Sequence, residues 1–163
     1  MAGTLLRVKI FTVRLQQQTL FFSKMIRPVV QHLREKGLRI VAFVDDFLLM
    51  TTPELAEQHR QVVLNTFQEL GLLVNLEKSS LIPQCTKEYI GYVVKTCNDD
   101  GYVWLEVPPH RLRSLRHDIT RLLRAGKGTA RALARVAGQC VAMSKVVLPG
   151  KLLLRNLYRL LKT

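Results

Sequence analysis

Asp45 and Asp46 stand side by side in the stretch VAFVDDFLLM, between two runs of strongly apolar residues. An ionised carboxylate is costly to bury unless it is paired or bound to a cation. Two carboxylates on a rigid support are a way to hold divalent metal, because Mg²⁺ prefers one or two carboxylates together with substrate phosphates. Two such ions can activate an attacking hydroxyl and stabilise the leaving oxygen in phosphoryl or nucleotidyl transfer. The competing reading is an ordinary turn, since Asp hydrogen-bonds its own backbone there. The flanks favour the metal reading. They are apolar on both sides, and the stretch has no Gly or Asn of the kind that makes a common turn.

The neighbouring pattern supplies the support. Residues 20–36 place Phe21, Phe22, Met25, Ile26, Val29, Val30 and Leu33 at helical spacing, with Pro28 inside and Gly37 as the stop. RIVAFV and FLLMT then read as two buried strands joined through the aspartates in a hairpin. Thr51 and Glu54, with Pro53 between them, read as a capping box that starts the next helix. That helix has Leu55, Val62, Val63, Phe67 and Leu70 on one face and ends at Gly71. LLVN reads as a short strand, KSSLIPQCTK as loop and EYIGYVVKT as strand. NDDG is read as a turn into the strand YVWLEV. After Pro108-Pro109, three helices are expected over 110–125, 129–145 (capped by Thr129) and 149–162. Their leucines are read as core.

The 163 residues carry a formal net charge of +13, unevenly spread. From Pro108 onward there are thirteen Lys and Arg against one acid, Asp118. Such a one-sided basic module points to a polyanion, most often nucleic acid; the alternative is a solvated helix face. No run of apolar residues is long enough for a membrane helix, so no membrane partner is expected. No leader is apparent in the first residues. Three scattered cysteines, Cys85, Cys97 and Cys140, fit reduced thiols of an intracellular protein better than a disulfide frame or zinc site.

Taken in order, these stretches resemble reverse transcriptases. AFVDDFLL is similar to the family's aromatic-x-Asp-Asp box, with Phe43 at the aromatic position. ELGLLVNLEKSSLIP resembles the next segment, in which Lys78 fits a Lys near the primer and nucleotide. KEYIGYVV resembles the primer-grip region through Tyr89, Ile90 and Gly91. VPPHRLRSLRHDI resembles the entry into the thumb, and ARALARVAGQC onward resembles the thumb or connection of DIRS-type and long-terminal-repeat retrotransposons. The resemblance implies an α+β fold. A partial palm over 1–107, a small antiparallel sheet with packed helices, would be followed by an all-α basic thumb or connection over 108–163. It implies Asp45 and Asp46 as catalytic metal ligands for Mg²⁺ or Mn²⁺. It implies Phe43, Lys78, Tyr89, Ile90 and Gly91 at the nucleotide and primer. Arg111, Arg113, Arg116, Arg121, Arg124 and Lys127 would lie on the backbone of an RNA/DNA template–primer, with a deoxynucleoside triphosphate as substrate.

Two departures qualify that picture. The family uses a third carboxylate on an earlier palm strand, yet residues 1–44 contain no aspartate, and Glu35 is their one acid. The Gly-rich segment expected before the first helix is replaced by Arg14-Leu15-Gln16-Gln17-Gln18-Thr19. The expectation is therefore a palm–thumb fragment lacking fingers and the first carboxylate, and inactive alone. A second polypeptide could supply the missing half. The alternative is a non-catalytic nucleic-acid-binding remnant.

Overall fold

In TLLRVKI the apolar residues Leu6, Val8 and Ile10 alternate with the cations Arg7 and Lys9, the period of a strand with two unlike faces. A computed structural model describes residues 3–10, 18–96, 102–147 and 149–162, and in it this stretch is strand β1, Thr4–Lys9. The chain divides after Trp104 into two compact units.

In the first unit, helix α1 (Gln18–Glu35) leads into β2 (Arg39–Phe43) and β3 (Asp46–Thr51), followed by helix α2 (Ala56–Glu69) and β4 (Ser80–Gln84). The four strands form one sheet in the order β2-β3-β1-β4. β1 therefore lies inside the sheet, antiparallel to β3 and to β4. The register sets Val8 opposite Phe47 and Leu6 opposite Leu49. These side chains share one face with Ile10 and Ile40. They pack against Ile26, Val30 and Leu33 of α1 and Val63 and Phe67 of α2. The Phe47 and Phe67 rings meet at 4.9 Å, tilted by 59°. On the other face Leu5 and Leu48 pack with Tyr89 and Val94 of a hairpin made by β5 (Thr86–Tyr89) and β6 (Tyr92–Thr96). β7 (Val103–Glu106) is the third strand of this smaller sheet, in the order β5-β6-β7.

Several local expectations are corrected. LLVN is no strand: it contributes one isolated bridge, Val74 to Ile10. KSSLIPQCTK is not loop but holds β4, because β1 offers it a hydrogen-bonding edge. EYIGYVV is not one strand but two, with Ile90-Gly91 as a turn at φ 48° and 77°. The capping box does not form. Thr51 belongs to β3 and its hydroxyl meets His59 Nδ1 at 2.8 Å, while α2 begins later at Ala56 without a side-chain cap. The NDDG turn, Cys97 and residues 11–17 lie outside the described residues.

The second unit is helical. α3 (Pro109–Ala125) ends at Gly126, φ 61°. α4 (Ala130–Met143) starts at Thr129, whose hydroxyl accepts from the Ala132 amide at 3.2 Å. α5 (Gly150–Leu153) and α6 (Arg155–Lys162) follow, and α4 touches α3, α5 and α6. The leucine core expected here is reduced. Val136, Ala137, Met143 and Leu154 are buried, but Leu112, Leu123, Leu152, Leu153 and Leu160 are exposed. The buried side chain of α3 is a charged one, Asp118. It accepts from Arg135 and, at 3.1 Å, from Gln139, with Arg121 at 3.7 Å. No helix among the described residues is long and apolar enough to cross a membrane.

Candidate active site at the aspartate hairpin

β2 and β3 close through a two-residue turn. Phe43 and Asp46 form the last pair of the ladder, so Val44 and Asp45 are the loop. Val44 sits at φ 54°, a region that a β-branched side chain rarely enters. Strain of this kind amounts to roughly 1–3 kcal/mol and has to be held by the surrounding structure. The two aspartates thus have different surroundings. Asp45 is half-buried in the turn, whereas Asp46 begins β3 and is 7% exposed.

Asp46 is already paired. Arg7 Nε donates to Oδ1 at 2.8 Å and Nη2 to Oδ2 at 2.5 Å, a two-pronged contact that matches guanidinium to carboxylate. Lys9 lies directly across the ladder from Asp46, with Nζ 3.7 Å from Oδ2. The hydrogen bond to Asp46, more than the charge itself, raises the Arg7 pKa above its ordinary value. The backbone carbonyl of Asp46 accepts from the Tyr89 hydroxyl at 3.1 Å. Burial, helped by the Asp46 charge and opposed by Arg7, pushes the Tyr89 phenol up to about 12. Nearby Lys87 donates to Ser80 and to Gln84, at 2.7 Å for the latter. Burial, then the Arg7 charge, lowers its pKa.

The remaining sequence-predicted residues fall around this centre. Phe43 is exposed on the edge strand opposite Asp46. Tyr89 is buried beneath Asp46, while Ile90 and Gly91 make the β5–β6 turn. Lys78 is exposed in a turn anchored to the end of β1: Asn75 N donates to Lys9 O at 2.7 Å, and Lys9 N donates to Ser79 Oγ at 2.9 Å. In the second unit Arg113, Arg116, Arg124 and Lys127 are exposed, and Arg111 is half-buried. Arg113, Arg116 and Arg124 recur on one face of α3, spanning about 16 Å at the helical rise. Arg121 is exposed as well and also lies 3.7 Å from Asp118. The sequence reading missed Arg7, Lys9 and Arg135. The alternation in LLRVKI marks Arg7 and Lys9 as one face of a strand, but its partner strand lies far along the chain.

A divalent metal does not fit this arrangement. Both oxygens of Asp46 are held by Arg7, and Lys9 adds a second cation. Among the described residues no three His, Cys, Asp or Glu side chains group so as to hold a metal ion.

A family model matches part of the chain. Residues 19–94 match reverse transcriptase (RNA-dependent DNA polymerase). The matched span contains nearly all of α1, the aspartate hairpin, α2, β4 and β5, and closes within β6. It leaves out β1, with Arg7 and Lys9, and the whole second unit. A search of curated proteins returns no match.

Proposed function

We propose that this chain carries the palm core of a retroelement reverse transcriptase and binds the backbone of an RNA/DNA duplex without catalysing nucleotidyl transfer by itself. The observation that carries the reading is the match of residues 19–94 to the reverse transcriptase family, with Asp45 and Asp46 in a strand-supported hairpin inside that span. In an active site of that family, Asp45 and Asp46 would hold Mg²⁺ or Mn²⁺, Lys78 would lie toward the nucleotide phosphates, and Phe43, Tyr89, Ile90 and Gly91 toward the primer. The metal would stabilise charge on the attacking and leaving oxygens. In this chain the carboxylate next to the turn is committed to Arg7, so the metal-dependent step lacks its support.

Nucleic-acid binding rests on the second unit. Arg113, Arg116 and Arg124 present their charges along one exposed face, suited to phosphates and needing no base contacts. Lineage from a DIRS-type or long-terminal-repeat element, and a second polypeptide supplying further palm, belong to the same reading.

The test is primer extension on an RNA template with Mg²⁺ and with Mn²⁺, beside duplex binding measured across a salt series. The expected result is binding that weakens steeply with salt, each neutralised phosphate adding roughly 0.9 to the log–log slope, and no synthesis. Robust template-dependent synthesis by this chain alone would overturn the non-catalytic half of the proposal. Salt-insensitive or absent duplex binding would overturn the other half.

A further inference from the structure

The surroundings of Asp46 on its face of the sheet form a short series. Across one side lies the apolar Phe43, across the other lies Lys9, and Arg7 follows two residues along on the same face. The Tyr89 phenol goes to the Asp46 backbone rather than its carboxylate. Arg7 and Lys9 balance Asp45 and Asp46, so the immediate charge is zero, where a cation site needs a net negative one.

We infer that Arg7 and Lys9 are built-in counter-ions of Asp46, standing where a divalent cation would otherwise stand, and that they make the hairpin's folded state independent of metal. The warrant is geometric. Asp46 is buried and could not keep its charge without a cation within contact. The guanidinium fork takes one lone pair of each oxygen, and Lys9 stands 3.7 Å from Oδ2, so an incoming ion would meet two fixed cations at the lone pairs that remain. Lys9 occupies one of the two register positions directly opposite Asp46, the other being Phe43, and residues so placed in an antiparallel ladder bring their Cβ atoms within about 5 Å. Position 9 therefore sets the sign of the site: a cation there excludes metal, and a carboxylate there, with Arg7 removed, recreates a three-carboxylate cluster with Asp45 and Asp46. This inference concerns the hairpin alone and does not depend on polymerase lineage.

The test uses Mn²⁺ alone as probe, read by loss of the free-ion paramagnetic resonance signal, on the full chain. The wild type is expected to bind no Mn²⁺ in a manner sensitive to Asp46→Asn. The double variant Arg7→Met, Lys9→Asp is expected to bind one ion, and adding Asp46→Asn should abolish that binding. Asp46-dependent Mn²⁺ binding by the wild type overturns the inference, as does a folded double variant that binds none. A double variant that folds only when Mn²⁺ is added counts in favour. Should it fold under neither condition, the wild-type Arg7 Nε–H resonance decides. That resonance stays in place on addition of millimolar Mg²⁺ if the inference holds, and moves if the metal displaces the guanidinium.

Discussion

Replacing Arg7 with Met keeps most of the side chain's apolar length but removes the fork that holds Asp46. Removing one partner of a fully buried pair costs about 3–5 kcal/mol, because the other charge is left uncompensated; an exposed pair is worth about 1 kcal/mol or less. The side chains of Arg7 and Asp46 are 24% and 10% exposed, nearer the buried case, and Lys9 at 3.7 Å remains to offset part of the loss. These place the destabilisation of Arg7→Met at about 2 kcal/mol. Urea unfolding followed by far-ultraviolet circular dichroism reads it. With slopes of about 1–3 kcal/mol per molar, the midpoint should fall by roughly 1 M. Asp46→Asn removes the buried charge itself, so the double variant should be more stable than the sum of the single changes predicts, with coupling of about 1 kcal/mol or more. A midpoint for Arg7→Met indistinguishable from wild type, or strict additivity in the double variant, would refute the reasoning.

Further outcomes follow from the same geometry. The Tyr89 phenol titrates near 12 in the folded state, above its ordinary value of 10.0. Its contribution to stability is therefore complete below pH 10 and lost as pH rises toward 12, and Tyr89→Phe should flatten that alkaline limb while losing about 1 kcal/mol at neutral pH with the hydrogen bond to Asp46. Burial pushes the Asp118 carboxyl up, but hydrogen bonds from Gln139 and Arg135 and the charges of Arg135 and Arg121 outweigh it and leave the pKa lowered. Its contribution is present above the ordinary carboxylate range and is lost as pH falls through the lowered value; circular dichroism of Asp118→Asn should show a helical unit less stable at neutral pH and less sensitive to acid. Val44→Gly relieves a positive φ at the entropic cost of a glycine, and the balance should be a gain of up to about 1 kcal/mol, read by thermal denaturation.

Elements with short-range signals were legible in the sequence. α1 carries a helical apolar stripe and ends at Gly37, and the Thr129 cap works as its side chain suggests. The hairpin around Asp45 and Asp46 was legible for the same reason, two apolar runs with no room between them, but RIVAFV is not the buried strand expected: β2 lies at the sheet edge, and of its residues Ile40 alone is buried. Elements that depend on distant partners were not. β4 reads SLIPQ, poor in strand formers, and is a strand because β1 pairs with it. Ile90-Gly91 adopts two positive φ values although Ile is an unusual choice there, so the turn did not announce itself. The acid at 46 could be singled out by residue type, but the cation that holds it lies 39 positions earlier, and no local pattern joins them. The leucines of the last helices show the converse: helical spacing was real, but several of the side chains it aligned remain exposed.

The position of β1 inside the sheet has a temporal consequence. This strand leaves the ribosome before either of its neighbours, yet its hydrogen bonds are owed to residues 46–51 and 80–84. Until those residues are made, Leu6, Val8 and Ile10 have no sheet to join, while α1 and the β2–β3 hairpin can assemble from contacts close in sequence. Closing long loops is slow relative to such local steps. The hairpin should therefore form before β1 joins it, with β1 adding to β3, and with β4, whose one partner strand is β1, adding after it. Pulse-labelled hydrogen exchange during refolding should show amides of β2 and β3 protected from each other before those of β1. The strand that carries the two cations to Asp46 is then also the one on which β4 is laid, so charge pairing comes before the sheet gains its last strand.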